Sequence, residues 1–337
     1  MAKRNGDNQP LSAQSGLIFL RILSKGELRL AKKHKRNGLT AESTGGLWLR
    51  AAYTALTNGY LKGFMEGKIY RGSSKALCVP GLNCYSCPGA LGACPIGSLQ
   101  AVLDSGKFRF SCYVFGFLML FGALMGRFVC GWLCPFGLVQ DLLHKIPLFH
   151  KKKNLPGHRF LRYGKYLVLA VFVILLPMTV VGVTGMGDPW FCKYICPSGT
   201  LFGGLPLLAS NPTLRAAAGW LFSWKTLLLV AIVLLSIRYY RPFCKYLCPL
   251  GALYGLFNPV SLYRLRVDQS ECVHCGKCQQ VCGMDIPVWE KPNSIECIRC
   301  GSCKASCPTG AIHSSLEGLR VNPYKGLDLK EKKEHHI

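Results

Sequence analysis

Four stretches of the chain are apolar and poor in charge: Leu47–Met65, Phe108–Phe128, Tyr163–Val183 and Ala216–Ile237. The last three are each about 20 residues long, enough for a helix to cross about 30 Å of hydrocarbon. Leu47–Met65 is more mixed, with Arg50, Asn58 and Lys62, and Pro177 interrupts the third stretch. The pattern predicts four transmembrane helices. Lys225 falls inside the last one, and is expected to snorkel outward. Cys112 stands alone in the second and reads as a small hydrophobe. Near the start, Leu17, Ile18, Leu20, Leu23 and Leu30 alternate with Arg21, Lys25 and Arg29. That suggests a short amphipathic helix on a membrane surface. Its apolar run is too short for a cleaved signal peptide.

Composition agrees with a membrane chain. Half of the 337 residues are hydrophobic, and the formal charge is +25. A basic balance suits either nucleic acid or an anionic membrane. The apolar stretches favour the membrane, and no nucleic-acid motif is present. Basic residues in the loops set the orientation. Lys145, Lys151, Lys152, Lys153, Arg159, Arg162 and Lys165 follow the second span, and Arg238, Arg241 and Lys245 follow the fourth. Both loops, and both termini, are expected in the cytoplasm. Lys68, Arg71 and Lys75 would then lie outside, against the trend.

Nineteen cysteines change the picture. Eight lie in two identical C-x2-C-x2-C-x3-C runs: Cys272, Cys275, Cys278, Cys282 and Cys297, Cys300, Cys303, Cys307. Two such runs in tandem are the pattern of a two-cluster ferredoxin, in which the fourth cysteine of each run serves the other cluster. One [4Fe-4S] cluster is therefore assigned to Cys272, Cys275, Cys278 and Cys307. The other takes Cys297, Cys300, Cys303 and Cys282. Zinc needs only four ligands per site and fits the doubled run less well. Cys307 is followed by Pro308, but Cys282 by Gly283, which leaves the chain path there open.

The ending Cys307-Pro308-Thr309-Gly310 recurs at Cys94, Cys134, Cys196 and Cys248, each starting Cys-Pro-x-Gly. Three copies carry another cysteine four residues earlier: Cys130, Cys192 and Cys244. Residues i and i+4 share a helix face, and the proline suits the first turn of a new helix. A C-x3-C pair supplies two thiolates, so two pairs must meet to complete a cube. Topology pairs Cys130 and Cys134 with Cys244 and Cys248 at an inner site. Cys192 and Cys196 belong at an outer site with two cysteines of the Cys78–Cys94 loop. Cys87 and Cys94 are favoured there, with Cys84 and Cys78 still open. Disulfides are the alternative for the outer pairs.

The expected organisation is a basic segment (1–44), a membrane domain (45–260), a small α+β ferredoxin domain (261–315) and a charged tail (316–337). The fold class is a mainly α-helical integral membrane protein with about four transmembrane helices plus that ferredoxin domain. Gly131-Trp132-Leu133-Cys134-Pro135 after Cys130, Phe243-Cys244 with Cys248-Pro249, and the tandem ferredoxin resemble the NapH/MauN-type membrane polyferredoxins. There is kinship to the membrane part of NosR. The resemblance implies a multi-pass electron carrier of the cytoplasmic membrane. It would pass electrons between a cytoplasmic donor and a redox protein or enzyme on the outer face. No C-x-x-C-H, nucleotide fingerprint or P-loop accompanies these motifs. Two other readings stay open: a redox regulator or assembly factor for a metalloenzyme, and a quinol-oxidising subunit with a quinone site between helices.

Overall fold

The computed structural model describes residues 46–105, 108–148, 150–180 and 188–315. The amphipathic helix expected at Leu17–Leu30 and the tail 316–337 lie outside the described residues. The frame is helical: α1 (Pro95–Ser105), α2 (Phe108–Met125), α3 (Pro135–Lys145), α4 (His158–Thr179), α5 (Trp220–Arg238) and α6 (Pro249–Phe257). Helix α5 packs along α3, α1 against α2, and α6 against both α2 and α4.

Helices α4 and α5 are long and apolar enough to cross a membrane. Only 28% and 22% of their apolar windows are buried, so neither is wrapped as a core helix would be. Leu167, Ile174 and Met178 on α4 and Leu227, Val230 and Leu234 on α5 face outward. Phe115, Met119 and Leu120 do so on α2, beside an exposed Cys112. The middle of α4, Leu169–Leu175, is π-helical. Pro177 lacks an N–H and crowds the turn before it, and the wider turn absorbs this.

Leu47–Met65 is not one continuous helix. A helix over 46–57 stops, and a short one, Leu61–Glu66, follows. Asn58 Nδ2 turns back to the Thr54 carbonyl at 3.1 Å. Backbone groups at the break pair with the cysteine loop instead: Leu91 N donates to Thr57 O (2.9 Å) and Tyr60 N to Gly89 O (3.2 Å). A helix cannot continue through groups committed elsewhere. Helix α2 likewise ends at Met125, before the expected Phe128. Gly126 takes φ +52° there, and Arg127 N donates to Asn258 Oδ1 at 2.9 Å.

The ferredoxin unit closes on two short antiparallel strands, β1 (Leu265–Val267) and β2 (Ile312–Ser314), with Leu265 opposite Ser314. Glu296 joins this unit to the helices. Its carboxylate accepts from Arg127 Nη1 (2.9 Å) and from Lys165 Nζ (2.6 Å to Oε1). Arg299 donates to Met125 O (2.9 Å) and Asn258 O (2.7 Å), while Trp132 Nε1 donates to Arg299 O (3.0 Å). Burial alone would raise the Glu296 carboxyl. Arg127 and Lys165 outweigh burial and hold it below the usual carboxylate range.

Glu296→Gln leaves two buried cations facing an amide. Breaking a buried ion set by removing one partner costs about 3–5 kcal/mol. Denaturant unfolding of the detergent-solubilised chain should register a loss of that order. A carboxyl held low stabilises the fold above its ordinary range, and that stability fades as pH falls through its lowered value. The acid-side decline should therefore be shallower in Glu296→Gln. Unchanged stability and an unchanged acid slope would refute the joint.

Candidate iron-sulfur centres

The two ferredoxin runs fold alike. The first two cysteines of each flank a residue of positive φ, His274 (48°) or Arg299 (53°). A glycine of positive φ follows the second, Gly276 (67°) or Gly301 (82°). These left-handed positions curl the backbone, so thiols at x2 spacing surround a hollow. Cys272, Cys275, Cys278 and Cys307 line one hollow of about 20 Å³. Cys282, Cys297, Cys300 and Cys303 line the other, also about 20 Å³. The fourth cysteine of each run thus lies with the other run. Backbone N–H groups of Met284, Asp285 and Ile286 donate to Cys282, and those of Thr309, Gly310 and Ala311 to Cys307. Gly283 has a local cause: a Cβ there would sit 2.4 Å from the Tyr240 ring.

These hollows suit cubes. Among the described residues, no three Cys, His, Asp or Glu side chains converge on a single ion. The thiols stand apart around a space, as a four-cornered cluster needs and zinc does not. Burial pushes the Cys297 thiol up to about 12, with Cys300 and Cys282 adding to it. Such thiols shed their protons when metal takes their place.

Cys130, Cys134, Cys244 and Cys248 come together between the helices, each less than a tenth exposed. Burial lifts the Cys244 thiol to about 12, and Cys134 and Cys130 add to it. The local fold explains the motif. A short helix carries the first cysteine, Phe128–Trp132 or Pro242–Tyr246, and then stops. The second cysteine caps the next helix, with proline in its first turn. At Cys248 the sulfur accepts from Gly251 N (3.4 Å), and Cys196 accepts likewise from Gly199 N (3.4 Å).

Two fully buried arginines cross between the inner pairs. Arg127, three residues before Cys130, donates to Cys244 O (3.2 Å). Arg241, three residues before Cys244, donates to Cys130 O (2.6 Å). The motif glycines make room for them. A Cβ on Gly251 would lie 3.2 Å from Arg127 Nη2, and one on Gly137 would lie 3.3 Å from Arg241 Nη1. Arg241 also grips Asp141 (Nε–Oδ1 2.6 Å), which Arg50 reaches from the other side. Gln140 Nε2 donates to Cys244 Sγ at 3.1 Å.

Of the outer cysteines, Cys84, Cys94, Cys192 and Cys196 line a common cavity, and Cys87 is not among its lining residues. Cβ positions at Gly97 and Gly199 fall 3.7 Å from Cys192 Sγ and Cys84 Sγ. Cys87 closes a turn, its N–H donating to Cys84 O (3.1 Å), and is 1% exposed. Cys78 bridges to Ala93, which lines the cavity, but Cys78 itself does not line it. Gln100 Nε2 donates to Cys192 Sγ (3.4 Å), as Gln140 does at the inner site. Both glutamines stand six residues after a Cys-Pro cysteine, Cys94 and Cys134, a C-P-x-G-x-x-Q signal present in the sequence. The R-x-x-C spacing of Arg127 and Arg241 was equally visible. Lys225 does not snorkel free: its Nζ donates to Cys192 O (3.2 Å) and it lines the cavity.

The four sets adjoin in order. Trp289 and Cys278 face the first ferredoxin hollow, and Cys282 begins the second. Gly131, next to Cys130, lies so close to the ferredoxin that a Cβ would meet Ile298 O at 2.3 Å. On the far side, a Cβ on Gly81 would meet Leu133 O at 2.6 Å and Cys134 Cα at 3.1 Å. Buried Tyr254 spans this last gap, donating to Pro80 O (3.1 Å).

Comparison with known proteins follows the same partition. A 4Fe-4S binding domain model matches residues 113–156, 169–209 and 220–266, one stretch around each C-x3-C pair. A second model of that description matches 292–313. An uncharacterized protein of Methanocaldococcus jannaschii is 32% identical over 57% of this chain and 73% of its own length. The methylamine utilization ferredoxin-type protein MauN of Methylobacillus flagellatus is 32% identical over 50% of this chain and 51% of its own. The ferredoxin-type protein NapH of Haemophilus influenzae is 33% identical over 49% and 50%. The chain thus spans about half the length of these last two relatives. No solved structure matches. With these relatives and these cysteine sets, the chain belongs to the NapH/MauN-type polyferredoxin family of iron-sulfur electron-transport proteins.

Proposed function

We propose that the chain is a transmembrane electron carrier holding four [4Fe-4S] clusters. The sets are Cys272/Cys275/Cys278/Cys307, Cys282/Cys297/Cys300/Cys303, Cys130/Cys134/Cys244/Cys248 and Cys84/Cys94/Cys192/Cys196. The clusters supply one-electron transfer, from a cytoplasmic donor at the ferredoxin to a redox partner on the outer face. The protein's part is to hold the sets in sequence and exclude water between them. The observation that carries this reading is the close approach of two neighbours to the inner set's backbone, Ile298 of the ferredoxin against Gly131 and Gly81 of the outer loop against Cys134. Outward apolar faces on α2, α4 and α5 support a membrane setting; in our reading α2 and the two broken segments over 46–66 make up the other passes. Basic loops around Lys151–Lys153 and Arg238–Arg241 support cytoplasmic termini.

Anaerobically purified protein should hold about 16 iron atoms by the four-thiolate rule. Cys84→Ser should delete one EPR signal, and Cys87→Ser none. The reverse result would restore Cys87 as the ligand, and a count near half would leave only an anchored ferredoxin.

Cys134→Ser and Cys248→Ser should each remove the same cluster signal, and the double variant no more. Ferredoxin signals should persist while transfer across proteoliposomes collapses. Loss of different signals in the two variants would separate the pairs.

A tag after Ile337 should be protected from protease in right-side-out vesicles and cut in inverted ones. The opposite pattern would reverse the proposed direction of transfer.

A further inference from the structure

The outer cavity is larger than four cysteines and a cube require. Its volume is about 920 Å³, against about 20 Å³ at each ferredoxin hollow. Cavities of roughly 300–1,000 Å³ are the size that holds small organic ligands. Two buried side chains on its wall have polar atoms without hydrogen-bond partners: Lys75 Nζ and both amide atoms of Asn83. These residues are 6% and 1% exposed. Leaving such groups unmet is costly, so a ligand that meets them gains by that amount. Arg71 and Lys225 also line the cavity, and among the described residues no aspartate or glutamate does. The Tyr85 ring lies 4.7 Å from Lys75 Nζ, and Leu82 and Leu207 add apolar wall.

We propose that this cavity binds a small organic anion with an apolar body, beside the outer cysteines. Lys75 donates to the anionic head, and the Asn83 amide pairs with a second polar edge. A consequence rests on the proposed outer cluster. A negative charge next to it opposes the addition of an electron, so binding lowers its reduction potential. By linkage, reduction must then loosen the anion. The outer end of the carrier is thereby responsive to a metabolite-sized acid.

The test uses the full, iron-loaded chain in detergent, titrated calorimetrically with benzoate and with its neutral isostere benzamide. One benzoate should bind per chain, with benzamide weaker by about tenfold or more, as a lost charge-assisted contact implies. Lys75→Met and Asn83→Leu should each weaken benzoate about tenfold at unchanged iron content. Benzoate should also move the outer EPR midpoint to lower potential. Equal binding of the two probes, or benzoate binding unaffected by both substitutions, overturns the proposal. So does a midpoint shift in Lys75→Met with no benzoate uptake by wild type, because Lys75 then serves only the cluster's charge. If Cys84→Ser removes no EPR signal yet benzoate still binds through Lys75, the anion site stands and the outer-cluster reading falls.

Discussion

Four thiolates around an iron cube carry net negative charge, and in a helix bundle that charge has little water to meet it. The inner site answers with cations fixed in the fold. Arg127 and Arg241 are wholly buried, and each donates to the backbone of the opposite cysteine pair. Each arginine also holds one carboxylate, and a second cation shares that carboxylate. Glu296 sits between Arg127 and Lys165, and Asp141 between Arg241 and Arg50. Two cations per acid leave one positive charge over on each side. An isolated buried ion pair gives weak stability, because desolvation consumes the attraction. An ion set with surplus positive charge beside a thiolate site has a further partner to stabilise.

That arrangement dictates much of the local sequence. The arginines must lie flat across the cysteine pairs, so the third residue after the capping cysteine cannot carry a Cβ without crowding a guanidinium. Gly137 and Gly251 are glycines for that reason. The same glycine offers its N–H to the capping sulfur, as at Cys248. Proline after the cysteine starts the new helix where the old one ends, turning two thiols of one segment toward two of another. Charge balance also explains how the ferredoxin is attached. Glu296 is at once the counter-ion of Arg127 and a residue of the ferredoxin loop, beside Cys297. Docking the ferredoxin and completing the inner charge set are therefore a single event.

How much of this the sequence reveals depends on how local the cause is. Ferredoxin ligand sets are legible because x2 and x3 spacings fix them within one loop. The C-P-x-G frames are legible for the same reason, and the meeting of Cys130/Cys134 with Cys244/Cys248 follows once spans are counted. Cys84 and Cys87 are not separable by spacing. Both sit in one tight turn, and which thiol faces the cavity depends on Cys84 meeting Gly199 and Ser86 meeting Gly203 across the fold. The break at Asn58 is similarly non-local, set by backbone pairing with Gly89 and Leu91. The glutamine and arginine spacings were present in the sequence. Their roles appear only when the partner cysteine, about a hundred positions away, is in contact.

The contrast between the inner and outer sites follows from the same electrostatic constraint. No arginine precedes Cys192 by three residues, where Pro189 stands, and among the described residues no carboxylate lines the cavity of the outer cysteines. Its cations are Arg71, Lys75 and Lys225 on a roomy wall, and the Lys75 ammonium faces the Tyr85 ring and the Cys84 and Cys87 thiols without a hydrogen bond. A guanidinium locked by two or three hydrogen bonds cannot adjust to a change of charge at its neighbour. A lysine in an open cavity can, and it can exchange the partner it faces. A relay in the middle of a chain benefits from a fixed environment, because its exchange partners on both sides are permanent. A terminus that meets something from outside benefits from an environment that can change. The difference in packing between the two sites is thus what the proposed carrier, with an inner relay and an outer terminus, would use.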